Sequence, residues 1–429
     1  MPPHATTGAP RNSLTRYGSA ALHAVTDFVR DTLASLGASP RTIRASLPEA
    51  LMAAPVAPQP APSTSSTSLA AAPTTPGAPT TPTAPPARPG ATSPTRPPAP
   101  PHFDGRRFRN AEVDERITAR AVGSLLWSVL SNAASGRRIG SPPAAVPIET
   151  PDMPKTAADL AATWLGHATV LLEVDGYRIL ADPMFGDRAS PSKAIGPRRL
   201  HPVPIAAAEL PPLDAVLISH DHYDHLDRPT IAALVASSLA PFLVPLGIGA
   251  HLRGWGVPAD RIVELDWHES HQLGRLTITC TPARHFSGRG TVRNTTLWAS
   301  WTVVGPAHRV FFGGDTGYTA AFADIGRDYG PFDLTVLPIG AYDPAWPDIH
   351  MTPEEALRAH RDMAGALLLP IHWATFNLAR HGWSEPVERL LRGADGDAIA
   401  IPPPGRRIVP GTPPTRENWW RPPLANNRL

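Results

Sequence analysis

Short apolar runs bounded by Gly, Pro, Asn and Asp recur through the later two-thirds of the chain, at 170–174, 177–181, 215–218, 276–280, 309–312, 334–337 and 367–371. Their length and their content of Val, Ile, Phe and Thr predict strands. Helical spacing predicts helices near 229–239, 353–364 and 384–392, the second opened by Thr352 with Glu355 in capping-box position. Strands interleaved with helices make this an α/β chain. The most apolar region, 231–250, is broken by Pro241, Pro245, Gly247 and Gly249. It reads as a helix, a loop and a strand rather than as a membrane span.

The first hundred residues follow another rule. Residues 53–101 consist almost wholly of Pro, Ala, Thr and Ser. With so few groups to bury, they are expected to stay disordered with local polyproline II character, as a tether. Ahead of them, Leu22, Val25, Phe28, Val29, Leu33 and Leu36 recur at helical spacing, which predicts an amphipathic helix over 19–37. Its polar face offsets Arg30 with Asp27 and Asp31, too little basicity to favour a membrane surface. A second helix is expected over about 112–134, carrying Val122, Leu125, Leu126, Trp127 and Val129 and packing on the later domain. The division predicted is 1–52 as an extension, 53–101 as a linker, 102–413 as the folded domain and 414–429 as a tail.

Charge and cysteine content narrow the partners. The formal net charge of +2 conceals a first 150 residues with 14 Arg and no Lys against 8 acidic residues. That mildly basic tail predicts peripheral association with an anionic membrane, and is too diffuse for nucleic acid. Cys280 is the only cysteine, so intramolecular disulfides are excluded. With no compact apolar signal segment at the N-terminus, a cytoplasmic location is expected. Cys280 lies in a predicted strand and reads as a small buried hydrophobe.

The chemistry concentrates in Ser219-His220-Asp221-His222-Tyr223-Asp224-His225-Leu226-Asp227, directly after the apolar run Ala215–Ile218. A strand end is a rigid place from which to aim ligands. His220 and His222, two apart in an extended segment, project to one side and share one cation. Asp224 and His225 follow where the chain turns toward a helix and point to a second. Neutral imidazole with carboxylate suits zinc, and iron or manganese less exclusively. The bland alternative is a cluster of hydrogen-bonded histidines. Further candidates follow later strands: His285, Asp315 after Phe311-Phe312-Gly313-Gly314, and His372 after Leu367–Ile371.

With these residues in this order, the chain resembles the metallo-β-lactamase-fold hydrolases. It is similar in particular to their N-acyl-phosphatidylethanolamine phospholipase D branch. Trp164–Thr169, Asp182–Phe185, Arg188–Pro191, Gly196–Arg199, His102–Gly105, Arg284–Ser287, Gly340–Tyr342, Pro370–Trp373 and Thr375-Phe376 carry that second likeness, over about 102–405. The resemblance implies a four-layer αββα sandwich and two zinc ions. His220, His222 and His285 would hold one, Asp224, His225 and His372 the other, and Asp315 would bridge them. It implies a shared hydroxide attacking phosphorus of an N-acyl-phosphatidylethanolamine-like lipid to give phosphatidic acid and an N-acylethanolamine. Catalytic roles are expected for Asp224, in handling a proton, and for His350, in contacting the phosphate. His167 and Asp182 either orient ligands or pack; Asp227 reads as a helix start or as a residue behind the ligands rather than as a ligand; Arg284 and Arg289 are candidates for attracting an anionic head group. Two other functions stay open, a metal-dependent hydrolase of a soluble ester, lactone or phosphodiester, and a non-hydrolytic metal-binding or interaction protein.

Overall fold

The structure, a computed structural model, describes residues 102–112, 142, 145–193, 196–289, 292–412 and 418–421. The helix predicted over 19–37, the Pro-rich stretch and nearly all of the helix predicted over 112–134 lie outside the described residues. Two sheets carry the fold. The first is built from β1 (Leu160–Gly166), β2 (Thr169–Val174), β3 (Tyr177–Ala181), β4 (Ala215–Leu217), β5 (Phe242–Pro245), β6 (Ile262–Leu265) and β13 (Arg407–Ile408), in the order β13-β1-β2-β3-β4-β5-β6. The second holds β7 (Ser270–Leu273), β8 (Leu276–Thr281), β9 (Ser300–Val304), β10 (Arg309–Phe312), β11 (Leu334–Pro338) and β12 (Leu368–Ile371), in the order β12-β11-β10-β9-β8-β7.

Period-2 alternation sorts the side chains into layers. Val170, Leu172, Ile179, Ala181, Ala215 and Leu217 of the first sheet meet Ile278, Cys280, Trp301, Val303 and Phe311 of the second in one core. Leu171, Leu180, Val216 and Phe242 face the other way, toward Ile231 and Leu234 of α1 (Arg228–Ser237) and Ile248 and Leu252 of α2 (Ile248–Gly254). Phe322 and Ile325 of α3 (Ala321–Tyr329), Leu357 of α4 (Pro353–Asp362) and Leu390 of α5 (Glu385–Gly393) join the second sheet's core. The result is the αββα sandwich. Its central strands are buried on both faces because both faces are covered. Trp419 and Trp420, placed in the predicted tail, pack against this core as well. Among the described residues no helix is long and apolar enough to cross a membrane.

Strand direction decides where the chemistry collects. β1 runs antiparallel to β2 and β2 to β3, while β4 is parallel to β3, so β1, β3 and β4 end at the same edge. In the second sheet β8 and β10 both run antiparallel to β9, and β11 and β12 run parallel to β10. β8, β10 and β12 therefore also end together. His167, Asp182, the 219–225 segment, His285, Asp315 and His372 follow those six strand ends.

Candidate metal centre

The 220–227 segment is a loop of tight turns, so Asp224 and His225 precede the helix rather than sit in it. α1 starts at Arg228, capped by Asp227, whose carboxylate accepts from the Thr230 amide at 3.1 Å. That settles Asp227 as a helix start. Several residues at this edge take positive φ without being glycine: His167 (53°), Asp182 (41°) and His372 (64°). Strain gathered at strand ends that carry polar side chains marks a site under functional constraint.

Two donor groups form there. His220, His222, His285 and Asp315 bring ligand atoms within 4.8 Å of one another, and so do His167, Asp224, His225 and His372. Asp315 lies between them. Its Oδ2 is 3.0 Å from His225 Nε2, 3.8 Å from His285 Nε2 and 3.9 Å from His220 Nε2, while its Oδ1 is 3.1 Å from His372 Nε2. His225 Nε2, His372 Nε2 and Asp315 Oδ1 are buried without a hydrogen-bond partner. Atoms this close that form no hydrogen bond are directed at a common point instead of at each other. Buried orphans of this kind cost about 1–3 kcal/mol each, a penalty that a coordinated cation removes. The donor set therefore fits divalent metal.

Hydrogen bonds around the groups set each imidazole's tautomer. Asp182 is fully buried and accepts from His225 Nδ1 at 2.7 Å, from the Ser219 amide at 2.7 Å and from the Ser219 hydroxyl at 2.5 Å. The Ser219 oxygen in turn lies 2.9 Å from His220 Nδ1. One carboxylate thus leaves Nε2 of both His220 and His225 free to ligate. His285 Nδ1 donates to the Ile349 carbonyl at 2.9 Å, which frees its Nε2 too. His167 Nε2 lies 2.9 Å from Asp224 Oδ2, and the His167 carbonyl accepts from the His372 amide at 3.0 Å. His167 and Asp182 are both buried and hydrogen-bonded to candidate ligands, His167 to Asp224 and Asp182 to His225.

The electrostatics reflect a concentrated charge. Burial would raise the Asp224 and Asp315 carboxyls, but nearby His225 and, for Asp315, His372 hold both well below the usual range. Burial works against protonated His372 as well, yet without a cation Asp315 and Asp224 lift it to about 9, a proton that a bound metal would displace. Burial drives His350 down to about 3, so it is a neutral imidazole. Its ring packs 5.1 Å from those of both His372 and His285, and its Nδ1 is 3.9 Å from Asp315 Oδ2. The structure thus gathers all the predicted site residues at one place.

The two arginines behave otherwise. Arg289 Nη1 donates to the Asp221 and Leu226 carbonyls at 2.9 and 2.5 Å, and its guanidinium lies over the Tyr223 and Trp255 rings. It pins the ligand loop. Arg284 pairs with Asp348 at 2.8 Å and with Glu112 at 3.6 Å. Both guanidinium groups hold loops beside the candidate centre. Ser219, the Ile349 carbonyl and Asn110, which bonds to the His285 main chain, were not foreseen as site residues. Only Ser219, adjacent to the motif, carried a local signal.

The comparisons agree with this geometry. A family model described as a β-lactamase superfamily domain matches residues 177–373. An uncharacterized protein of Mycobacterium tuberculosis is 57% identical over 303 residues, covering 69% of this chain and 80% of that one. N-acyl-phosphatidylethanolamine-hydrolyzing phospholipase D 1 of Caenorhabditis elegans is 39% identical over 246 residues, 54% of this chain and 68% of that one. The mitochondrial N-acyl-phosphatidylethanolamine-hydrolyzing phospholipase D of Saccharomyces cerevisiae is 34% identical over 238 residues, 53% of this chain and 50% of that one. The chain belongs to the β-lactamase superfamily and is a metal-dependent hydrolase of the metallo-β-lactamase fold.

Proposed function

We propose that this protein is a phosphodiesterase of phospholipase D type, cleaving N-acyl-phosphatidylethanolamine-like lipids to phosphatidic acid and an N-acylethanolamine. The observation that carries the hydrolytic reading is the meeting of two His/Asp donor groups at Asp315. The lipid class is supported by the two relatives named for that activity, at 39% and 34% identity. His220, His222 and His285 would hold one cation and Asp224, His225 and His372 the other, with Asp315 shared. The imidazole–carboxylate set favours zinc over iron or manganese. Two such cations supply an acidified water and Lewis-acid stabilisation of phosphoryl charge.

The chain's own groups do the rest. Asp315 places one negative charge between the two triads, where it would favour both cations together. Asp224 stays a carboxylate, held by His167 and His225, and its Oδ2 is a proton acceptor beside the reacting centre. His350 is neutral and has an unpartnered Nδ1, so it offers one hydrogen bond to a phosphoryl oxygen without adding charge. The phosphoryl group would lie at the shared edge of the sheets, with the N-acylethanolamine as leaving alcohol.

The test incubates the full chain with N-acyl-phosphatidylethanolamine vesicles, with a sugar lactone and with a small soluble phosphodiester, alongside a His222→Ala variant. Turnover of the lipid alone, lost in the variant, supports the proposal. Turnover confined to the soluble substrates sinks the lipid assignment and leaves the metal-dependent hydrolase standing.

A further inference from the structure

We infer that Asn110 is a positioning residue of the metal centre: a strap lying before the matched family region clamps the main chain of His285 and sets where its imidazole points. The strap, residues 102–112, is anchored at its start by His102. That side chain lies 2.7 Å from Asp266 Oδ1 and stacks on Trp267 at 4.3 Å. Phe108 is buried in the core between the sheets, and its amide donates to the Asn294 carbonyl at 2.8 Å. These contacts deliver Asn110 to His285. Asn110 Nδ2 donates to the His285 carbonyl at 2.9 Å, and Asn110 Oδ1 accepts from the His285 amide at 3.1 Å.

One carboxamide thus satisfies both main-chain polar groups of a single residue, as a neighbouring strand would. β8 has ended at Thr281, so the ladder no longer does so. The amide's orientation is fixed, because a main-chain N–H can only donate and a carbonyl only accept. Trp298 Nε1, also a donor only, meets the same Oδ1 at 2.9 Å and locks the side chain from behind. The His285 ring is held separately, by the Ile349 carbonyl at Nδ1. Main chain and ring together aim Nε2 at the space shared with His222 Nδ1, 3.3 Å away, and Asp315.

The strap's far end holds the segment that follows Asp315. The Glu112 carboxylate accepts from the Thr319 hydroxyl at 2.6 Å and the Ala320 amide at 2.9 Å. It also lies 3.6 Å from Arg284, which pairs with Asp348 on the loop that supplies Ile349 and His350. A segment outside the matched region therefore supports His285 both directly and through the loop that grips its ring. His285 belongs to only one of the two donor groups. Loosening it weakens one cation and spares the other, a selectivity that a general loss of packing does not produce.

This inference rests on reading the two groups as cation ligands, so the experiment separates the two ideas. The full chain, stripped of metal, is titrated with Co²⁺, following the ligand-field absorption and competing with a chromophoric chelator. Wild type, Asn110→Ala and Asn110→Asp are compared, with thermal unfolding of each metal-free protein as the control. Wild type is expected to bind two cations. Asn110→Ala is expected to weaken one of them by ~10–100-fold and leave the other within about 2-fold. Asn110→Asp has the same shape but turns an oxygen toward the His285 carbonyl, so it is expected to lose as much as Asn110→Ala. If Asn110→Ala fails to fold, the isosteric variant carries the comparison. An Asn110→Asp protein that binds both cations like wild type overturns the inference, as does an equal loss at both. Fewer than two cations in wild type overturns the ligand reading, and the inference with it.

Discussion

Replacing Asp182 with Asn removes one oxygen acceptor and changes nothing else in outline. The backbone there has φ of 41°, a left-handed conformation that Asn adopts as readily as Asp. The Asn carbonyl still accepts from the Ser219 amide, which now lies 2.7 Å from Oδ1. The new NH₂ takes the place of Oδ2, the atom that accepts from the Ser219 hydroxyl at 2.5 Å and His225 Nδ1 at 2.7 Å. Two donors then face a third. His225 relieves the clash by carrying its proton on Nε2, the atom that faces Asp315. The Ser219 hydroxyl turns to accept from Asn and donate to His220 Nδ1, which moves the His220 proton to Nε2 as well. Each group of ligands would then present an N–H where a lone pair is needed. Loss of an outer partner of this kind weakens metal by ~10–100-fold, or about 1.4–2.8 kcal/mol. Because the same carboxylate serves both groups, both cations are expected to weaken. Competition with a chelator of known affinity measures this, with melting of the metal-free protein as the control for folding. Unchanged affinity in a folded Asp182→Asn variant refutes the tautomer argument. Loss at one cation alone refutes the relay through Ser219.

Three further outcomes follow from the geometry. Gly314 has φ of +57°, and a Cβ there would stand 2.4 Å from Ser219 Cβ, so Gly314→Ala is expected to displace both Ser219 and Asp315. It should lower cation stoichiometry along with stability, read by elemental analysis and melting; a variant with two tightly held cations contradicts this. Trp301 is buried between the sheets and donates to the Ile218 carbonyl at 3.1 Å, so Trp301→Phe should cost about 1–3 kcal/mol in denaturant unfolding by leaving that carbonyl unpaired. His201 is buried, its Nδ1 donating to the Pro202 carbonyl and its Nε2 accepting from Thr375, and burial together with Arg199 lowers it to about 4. The unfolded chain takes up that proton first, near pH 6.5, so stability is lost as pH falls from about 6.5 to about 4, by roughly 3 kcal/mol. A His201→Asn variant of the metal-free protein should show a shallower decline over that window; an identical decline rules out His201 as its source.

What the sequence made legible was whatever is local. β3 and β10 are mostly apolar because they lie inside the sandwich, with one arginine each, Arg178 and Arg309, toward the start, and the sequence predicts both with the bounds observed. β7, Ser-His-Gln-Leu, alternates exposed and half-buried positions at a sheet edge, and β6 is largely half-buried, so neither leaves an apolar run to read. α2, Ile-Gly-Ala-His-Leu-Arg-Gly, is too short and too rich in glycine to show a helical period. The candidate ligands were visible because all seven follow predicted strand ends, and four of them lie within six positions. Asn110 was not, because its contact with His285 spans 175 positions and a lone Asn carries no signal of its own. The contacts of the two arginines were hidden for the same reason. Their charge is written in the sequence, but the carbonyls, rings and carboxylates that occupy Arg284 and Arg289 come from elsewhere in the fold.

The most direct test of phosphodiester cleavage at this centre is to run the lipid reaction in ¹⁸O-labelled water and weigh both products by mass spectrometry. Attack on phosphorus puts one label in phosphatidic acid and none in the N-acylethanolamine, with no turnover by Asp315→Ala, and that is the predicted result. Label in the released alcohol, or phosphatidic acid formed equally by the Asp315→Ala variant, would contradict it.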